Sequence, residues 1–89
     1  MNNQKLYIYV EILNIFVQDH TRTYSLVELT DKVLPVLDIG YILTEKVAHQ
    51  RANQAMVLDV LLLLDDEKII VLDSNTDESF IHTQIFLRI

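Results

Sequence analysis

Tyr24-Ser25-Leu26-Val27-Glu28-Leu29 is the stretch that orients the chain. A Ser followed three residues later by Glu, at the head of an apolar run, marks a helix start. The Ser25 hydroxyl can accept from the Glu28 amide while the Glu28 carboxylate reaches back to the cap. Tyr24 before the cap and Leu29 four residues after it form a hydrophobic staple. A helix therefore opens at Leu26 and runs to Val33 or Leu34, because Pro35 cannot donate inside a helix and disfavours helix in the residue before it. Just upstream, residues 19–23 are polar and turn-like, and residues 21–24 are read as a short strand.

Further upstream, residues 4–18 read as a first helix. Leu6, Tyr9, Val10, Leu13 and Phe16 recur at helical spacing, and Ile8, Ile12 and Ile15 widen that face. The polar stripe is narrow: Gln4, Glu11, Asn14 and Gln18. A helix this apolar needs cover on most sides, and some of the cover is expected from another copy.

Downstream, residues 36–43 are an apolar connector turning at Asp38-Ile39-Gly40. Thr44 caps a third helix, with Glu45 in its favourable first turn. Ala48, Ala52 and Ala55 share a face that allows close approach to another helix, and Met56, Leu58, Leu61 and Leu62 extend the buried side. Asp65-Asp66-Glu67-Lys68 ends this helix or forms a turn after it. Residues 69–72 are a β-branched run, and residues 73–79 are a turn rich in Asp, Ser, Asn and Thr. Ile81, Thr83, Ile85, Leu87 and Ile89 then alternate with Phe80, His82, Gln84, Phe86 and Arg88, the period of a strand. The two runs make a C-terminal β-hairpin.

The whole is expected to be one α+β domain over residues 1–89, three helices closed by that hairpin. The chain has no Cys, which excludes disulfides and thiolate metal sites and fits a reducing, cytoplasmic compartment. No apolar run approaches the ~20 residues of a membrane span, and the N-terminal segment has no signal-peptide cleavage pattern. The formal charge of −6 opposes phosphate neutralisation as a main binding mode.

Helix, short strand, capped helix, connector, long helix and hairpin together resemble a winged helix-turn-helix domain over nearly the whole chain. Tyr24-Ser25-Leu26-Val27-Glu28-Leu29 is similar to the entry of that family's second helix. Met56-Val57-Leu58-Asp59-Val60-Leu61-Leu62-Leu63-Leu64-Asp65-Asp66-Glu67-Lys68-Ile69-Ile70 is similar to its passage from third helix to first wing strand. The family normally carries a Gly in the turn after the third helix, which residues 66–68 lack, and the connector is longer than in DNA-binding versions.

That resemblance implies a DNA-reading third helix, here Lys46, His49, Gln50, Arg51, Asn53 and Gln54. Against it stands the wing, where Asp73, Asp77 and Glu78 repel phosphate. A wider acidic set, including Asp59, Asp65, Asp66 and Glu67, could mimic a phosphate track or dock a basic partner, but charges at turns are ordinarily just solvated. His20, His49 and His82 lie on separate elements, not at metal-ligand spacing, so no metal or other cofactor is expected. No nucleophile elbow, phosphate loop or paired catalytic carboxylates appear, and an enzyme acting on a small-molecule substrate is not expected. The apolar surplus of Leu6, Tyr7, Tyr9, Val10, Leu13 and Phe16 is left for an interface, with Tyr7 and Tyr9 as anchors. The expectation is an acidic interaction module, a homodimer or a subunit bound to a protein partner. A small DNA-binding transcriptional regulator is the alternative, and an acidic nucleic-acid-mimicking inhibitor a further one.

Overall fold

The computed structural model describes residues 3–35 and 43–82. In chain order they form α1 (Asn3–Gln18), β1 (Tyr24–Ser25), α2 (Leu26–Val33), α3 (Leu43–Asp66), β2 (Ile70–Asp73) and β3 (Glu78–Ile81). This is an α+β arrangement of three helices and one antiparallel three-stranded sheet, ordered β1-β3-β2.

The α2 start is built largely as its residues dictate. The Ser25 hydroxyl accepts from the Glu28 amide at 3.1 Å, and Tyr24 and Leu29 both lie in the core. The return half of the capping box is replaced: the Glu28 carboxylate pairs with the Arg22 guanidinium. Arg22 also stacks 4.7 Å from the Tyr24 ring centroid, so one cation braces the strand and the cap together. The Leu26 amide, another donor orphaned at the helix start, bonds the Asp77 carbonyl at 3.0 Å. Strand pairing falls at Tyr24–Ser25 rather than at residues 21–24, because Tyr24 and Ser25 are the residues facing Ser79 and Glu78.

α1 turns a different apolar row inward from the one its spacing suggested. Ile8, Ile12 and Phe16 are buried, Tyr9, Leu13 and Ile15 are partly so, and Leu6 and Val10 face outward. Phe16, at 0% exposure, meets Tyr24 edge-on with ring centroids 5.5 Å apart. When a helix is apolar around most of its circumference, periodicity cannot say which side meets the core.

The same limit applies to α3. Ala48, Ala52 and Ala55 do share a face, but it is exposed, and Leu62 is 52% exposed; Val57, Val60, Leu61 and Leu64 form the buried row. The helix starts at Leu43, so Thr44 lies in its first turn instead of capping it. The Asn53 side chain donates to the Leu34 carbonyl at 3.2 Å, tying the end of α2 to mid-α3.

At the C-terminus of α3 the Ile69 amide bonds the Leu64 carbonyl, and the Lys68 amide bonds the Asp65 carbonyl, both at 3.0 Å. This pair of bonds is a Schellman ending, and its left-handed position is Lys68, with φ 62°. The expected glycine site exists; a lysine occupies it. Asp65 then accepts from the Leu72 amide at 3.0 Å, laying β2 back against the helix.

In the hairpin Ile70 faces Ile81, Leu72 faces Ser79, and Ser79 also faces Tyr24 on the other side. Ser79 is fully buried, and among the described residues its hydroxyl has no hydrogen-bond partner. Its small side chain lets Tyr24 and Leu72 close over the core from both flanks. The strands run one residue later on β2 and two earlier on β3 than the β-branched pattern suggested, so the turn shortens to residues 74–77. Asp73 accepts from the Asn75 amide at 2.9 Å inside that turn, and Asp77 adopts φ 56°. The connector with its Asp38-Ile39-Gly40 turn, and the alternation from Thr83 to Ile89, lie outside the described residues.

Two stability changes follow. Lys68→Gly removes the left-handed penalty and should stabilise the chain by about 0.5–1 kcal/mol, which raises Tm by roughly 3–6 °C in thermal circular dichroism. A fall in Tm would show that the lysine's charge beside the helix C-terminus outweighs its strain. Ser79→Ala deletes a buried hydroxyl without a partner and should be neutral to about 1 kcal/mol stabilising in urea titration. A loss of more than about 1 kcal/mol would mean that the hydroxyl is bonded.

Candidate interaction surface

α1 presents a second face. At about 100° per residue, Asn3, Leu6, Tyr7, Val10, Asn14 and Val17 fall on one side, roughly opposite the buried row of Ile8, Ile12 and Phe16. All six are exposed, and Leu6, Tyr7, Val10 and Val17 stand at 52%, 51%, 46% and 52%. None carries a charge. Of the six residues expected to form an interface, Leu6, Tyr7 and Val10 are thus on the surface, Tyr9 and Leu13 are half-buried at the core margin, and Phe16 is interior. Val17 and Asn14 were missed. Val17 sits seven residues after Val10, so a second heptad stripe was the signal that could have found it.

Tyr9 has a structural task instead. Its hydroxyl donates to the Glu67 carboxylate at 3.3 Å, linking α1 to the end of α3. Burial, and then the neighbouring Glu67 charge and hydrogen bond, hold the phenol above its ordinary pKa. Lys5 bonds Asp59 at 2.9 Å beside a groove lined by Gln4, Lys5, Ile8, Met56 and Asp59. That groove, about 100 Å³, is small beside the ~300–1,000 Å³ of ligand pockets.

The six residues expected to read DNA do not gather on one outward face of α3. Lys46, Gln50, Asn53 and Gln54 are half-buried and continue the row that becomes Val57, Val60 and Leu64 further along. His49 and Arg51 are exposed but leave the helix on widely separated flanks. Asn53 is engaged with Leu34. Along residues 44–55 no side chain is fully buried: one row is half-buried and the rest is exposed.

The acidic set divides by task. Asp59, Asp65 and Glu67 bond Lys5, Leu72 and Tyr9, whereas Asp73, Asp77 and Glu78 are exposed on and around the hairpin turn. Asp73 and Glu78 face each other across the strands, a like-charge pairing that costs stability. His20 lies in the turn after α1, His49 on α3 and His82 after β3. Among the described residues no three His, Asp or Glu side chains cluster as a metal would require, and no helix is long and apolar enough to cross a membrane. No protein-family model, no curated protein and no solved structure matches this chain.

Proposed function

We propose that the chain is a winged-helix-type protein–protein interaction module that docks through the outer face of α1. The order of three helices with a hairpin after the longest, and a short strand before α2 that completes the sheet, supports the winged-helix assignment. The observation that carries the docking role is the uncharged apolar stripe of Leu6, Tyr7, Val10 and Val17 on the side of α1 away from the core. Isolated exposed apolar residues are ordinary, but four of them aligned on one helix form a patch of the kind that marks an interface. The acidic hairpin turn then selects among partners by charge.

A DNA-binding regulator is the second reading, and what favours it is the first half of α3, where Arg51 and His49 are exposed. Charge weighs against it: a net −6 and an acidic turn weaken any phosphate contact that α3 makes.

Light scattering across a concentration series, beside duplex binding across a salt series, tests both readings. The expected result is an associated species that Val10→Glu disperses by at least about tenfold in Kd, since a buried unpaired carboxylate costs several kcal/mol. Duplex binding should stay weak at every salt concentration. Tight binding that falls steeply with salt and weakens in Arg51→Ala would replace this reading with the regulator.

A further inference from the structure

The sheet has two edges, and they differ. β1, at one of them, is two residues long. At the other, Ile69-Ile70-Val71-Leu72 runs into and along β2, apolar throughout and mostly β-branched. An edge of that composition recruits strands from other chains unless something closes it. Lys68 and Asp73 bracket the run with a charge at each end, as charges do around strands that must not pair.

The ladder fixes which backbone groups point outward from this edge. The His82 amide donates to the Ile69 carbonyl at 2.9 Å, and antiparallel pairs alternate between bonded and unbonded. Val71 opposite Phe80 and Asp73 opposite Glu78 are therefore the bonded pairs. Ile70 and Leu72 turn their amides and carbonyls away from β3. Ile70 is 1% exposed, so its outward groups are out of reach. Leu72 is half-buried, and among the described residues it is where the outward backbone of β2 reaches the surface. Its amide is the one that donates to the Asp65 carboxylate at 3.0 Å.

We infer that Asp65 guards this edge: by occupying the Leu72 amide it keeps β2 from pairing with β2 of a second copy. The pairing it forestalls is antiparallel and two-fold symmetric about Leu72. In it the Leu72 amide of each copy bonds the Leu72 carbonyl of the other, and Val71 faces Asp73 across the axis. A carboxylate is the stronger acceptor, since charge-assisted bonds are roughly twice as strong as neutral ones. The guard also stands on fixed backbone. The carbonyls of Leu64 and Asp65 receive the two bonds that close the end of α3, so Asp65 is held in place before the hairpin reaches it. None of this involves the outer face of α1, and the guard stands or falls apart from docking there.

Amide exchange on the native chain gives the first test. The Leu72 amide lies off the ladder, yet it should exchange as slowly as the ladder amide of Val71. An unprotected Leu72 amide overturns the guard. Light scattering on chains that also carry Val10→Glu, which removes association through α1, gives the second. Asp65→Asn keeps an oxygen acceptor in the same place and should stay dispersed. Asp65→Ala should self-associate at least about tenfold more tightly than Asp65→Asn, with added strand signal in the infrared. Adding Val71→Lys, which sets a charge on the edge strand, should disperse the Asp65→Ala chain again without restoring its Tm. An Asp65→Ala chain that loses stability yet stays as dispersed as Asp65→Asn overturns the guard. Association that Val71→Lys leaves unchanged comes from an exposed core rather than from the edge, and overturns it as well. If Asp65→Ala does not fold, exchange at Leu72 in the native and Asp65→Asn chains carries the test, and loss of protection in Asp65→Asn overturns the role of the acceptor.

Discussion

A 24-residue helix is useful to so short a chain only if the chain can leave it sharply and fold back. The reversal at residues 64–69 does this, and the rest of the structure depends on it. Two backbone bonds close the helix end around a left-handed Lys68, and Asp65 then catches the Leu72 amide. With the hairpin pinned there, Ile70 and Ile81 fall over the buried row of α3, and Ser79 comes opposite Tyr24. The Asp77 carbonyl in turn receives the first amide of α2. The end of one helix is thus coupled through two strands to the start of another. Nothing in that circuit needs a long side chain except Asp65.

The acids around this junction show how far local electrostatics yields to hydrogen bonding. Asp65, Asp66 and Glu67 sit at a helix C-terminus, where the macrodipole disfavours negative charge by a few tenths of a kcal/mol each. Asp65 offsets that by fixing β2, and Glu67 by accepting from Tyr9. Among the described residues no comparable contact explains Asp66. The acidity of the chain is therefore of two kinds. The carboxylates of α3 are partly consumed in holding the fold, and those around the hairpin turn are exposed, with Asp73 also accepting from the Asn75 amide.

Local chemistry was the legible part of the sequence. The Ser25 cap, the Tyr24–Leu29 staple, the stop at Pro35 and the presence of a hairpin all depend on neighbours within a few residues. Even there the second half of the capping box escaped, because Arg22 competes for Glu28 from six residues away. Facing was much less legible. The row of Ala48, Ala52 and Ala55 is real, but helical spacing defines a stripe without saying what lies opposite it. The turn after α3 has no glycine, yet the chain adopts the conformation a glycine would favour, since the Schellman bonds and the burial of Leu64 and Ile70 outweigh about 1 kcal/mol of backbone penalty at Lys68. Asn53 resembled a base-reading residue by type and position, and its bond to Leu34 became visible only once α2 and α3 were placed together.

The first helix makes the sharpest demand for explanation. Its inner row of Ile8, Ile12 and Phe16, with the Tyr9–Glu67 and Lys5–Asp59 bonds, holds α1 to α3 and the core. Folding of one copy asks nothing of the opposite side, where Lys, Glu or Gln gives equal or better helix propensity and greater solubility than Val and Tyr. Val10 and Val17 in particular lower helix propensity through their branched side chains. A residue that weakens the helix bearing it, and contributes nothing to the core, is stabilising only where something else covers it. At roughly 25 cal/mol per Å² of apolar surface removed from water, that cover is worth several kcal/mol along the stripe. Association, as proposed for this chain, would account for the outer face of α1 as folding accounts for the inner one.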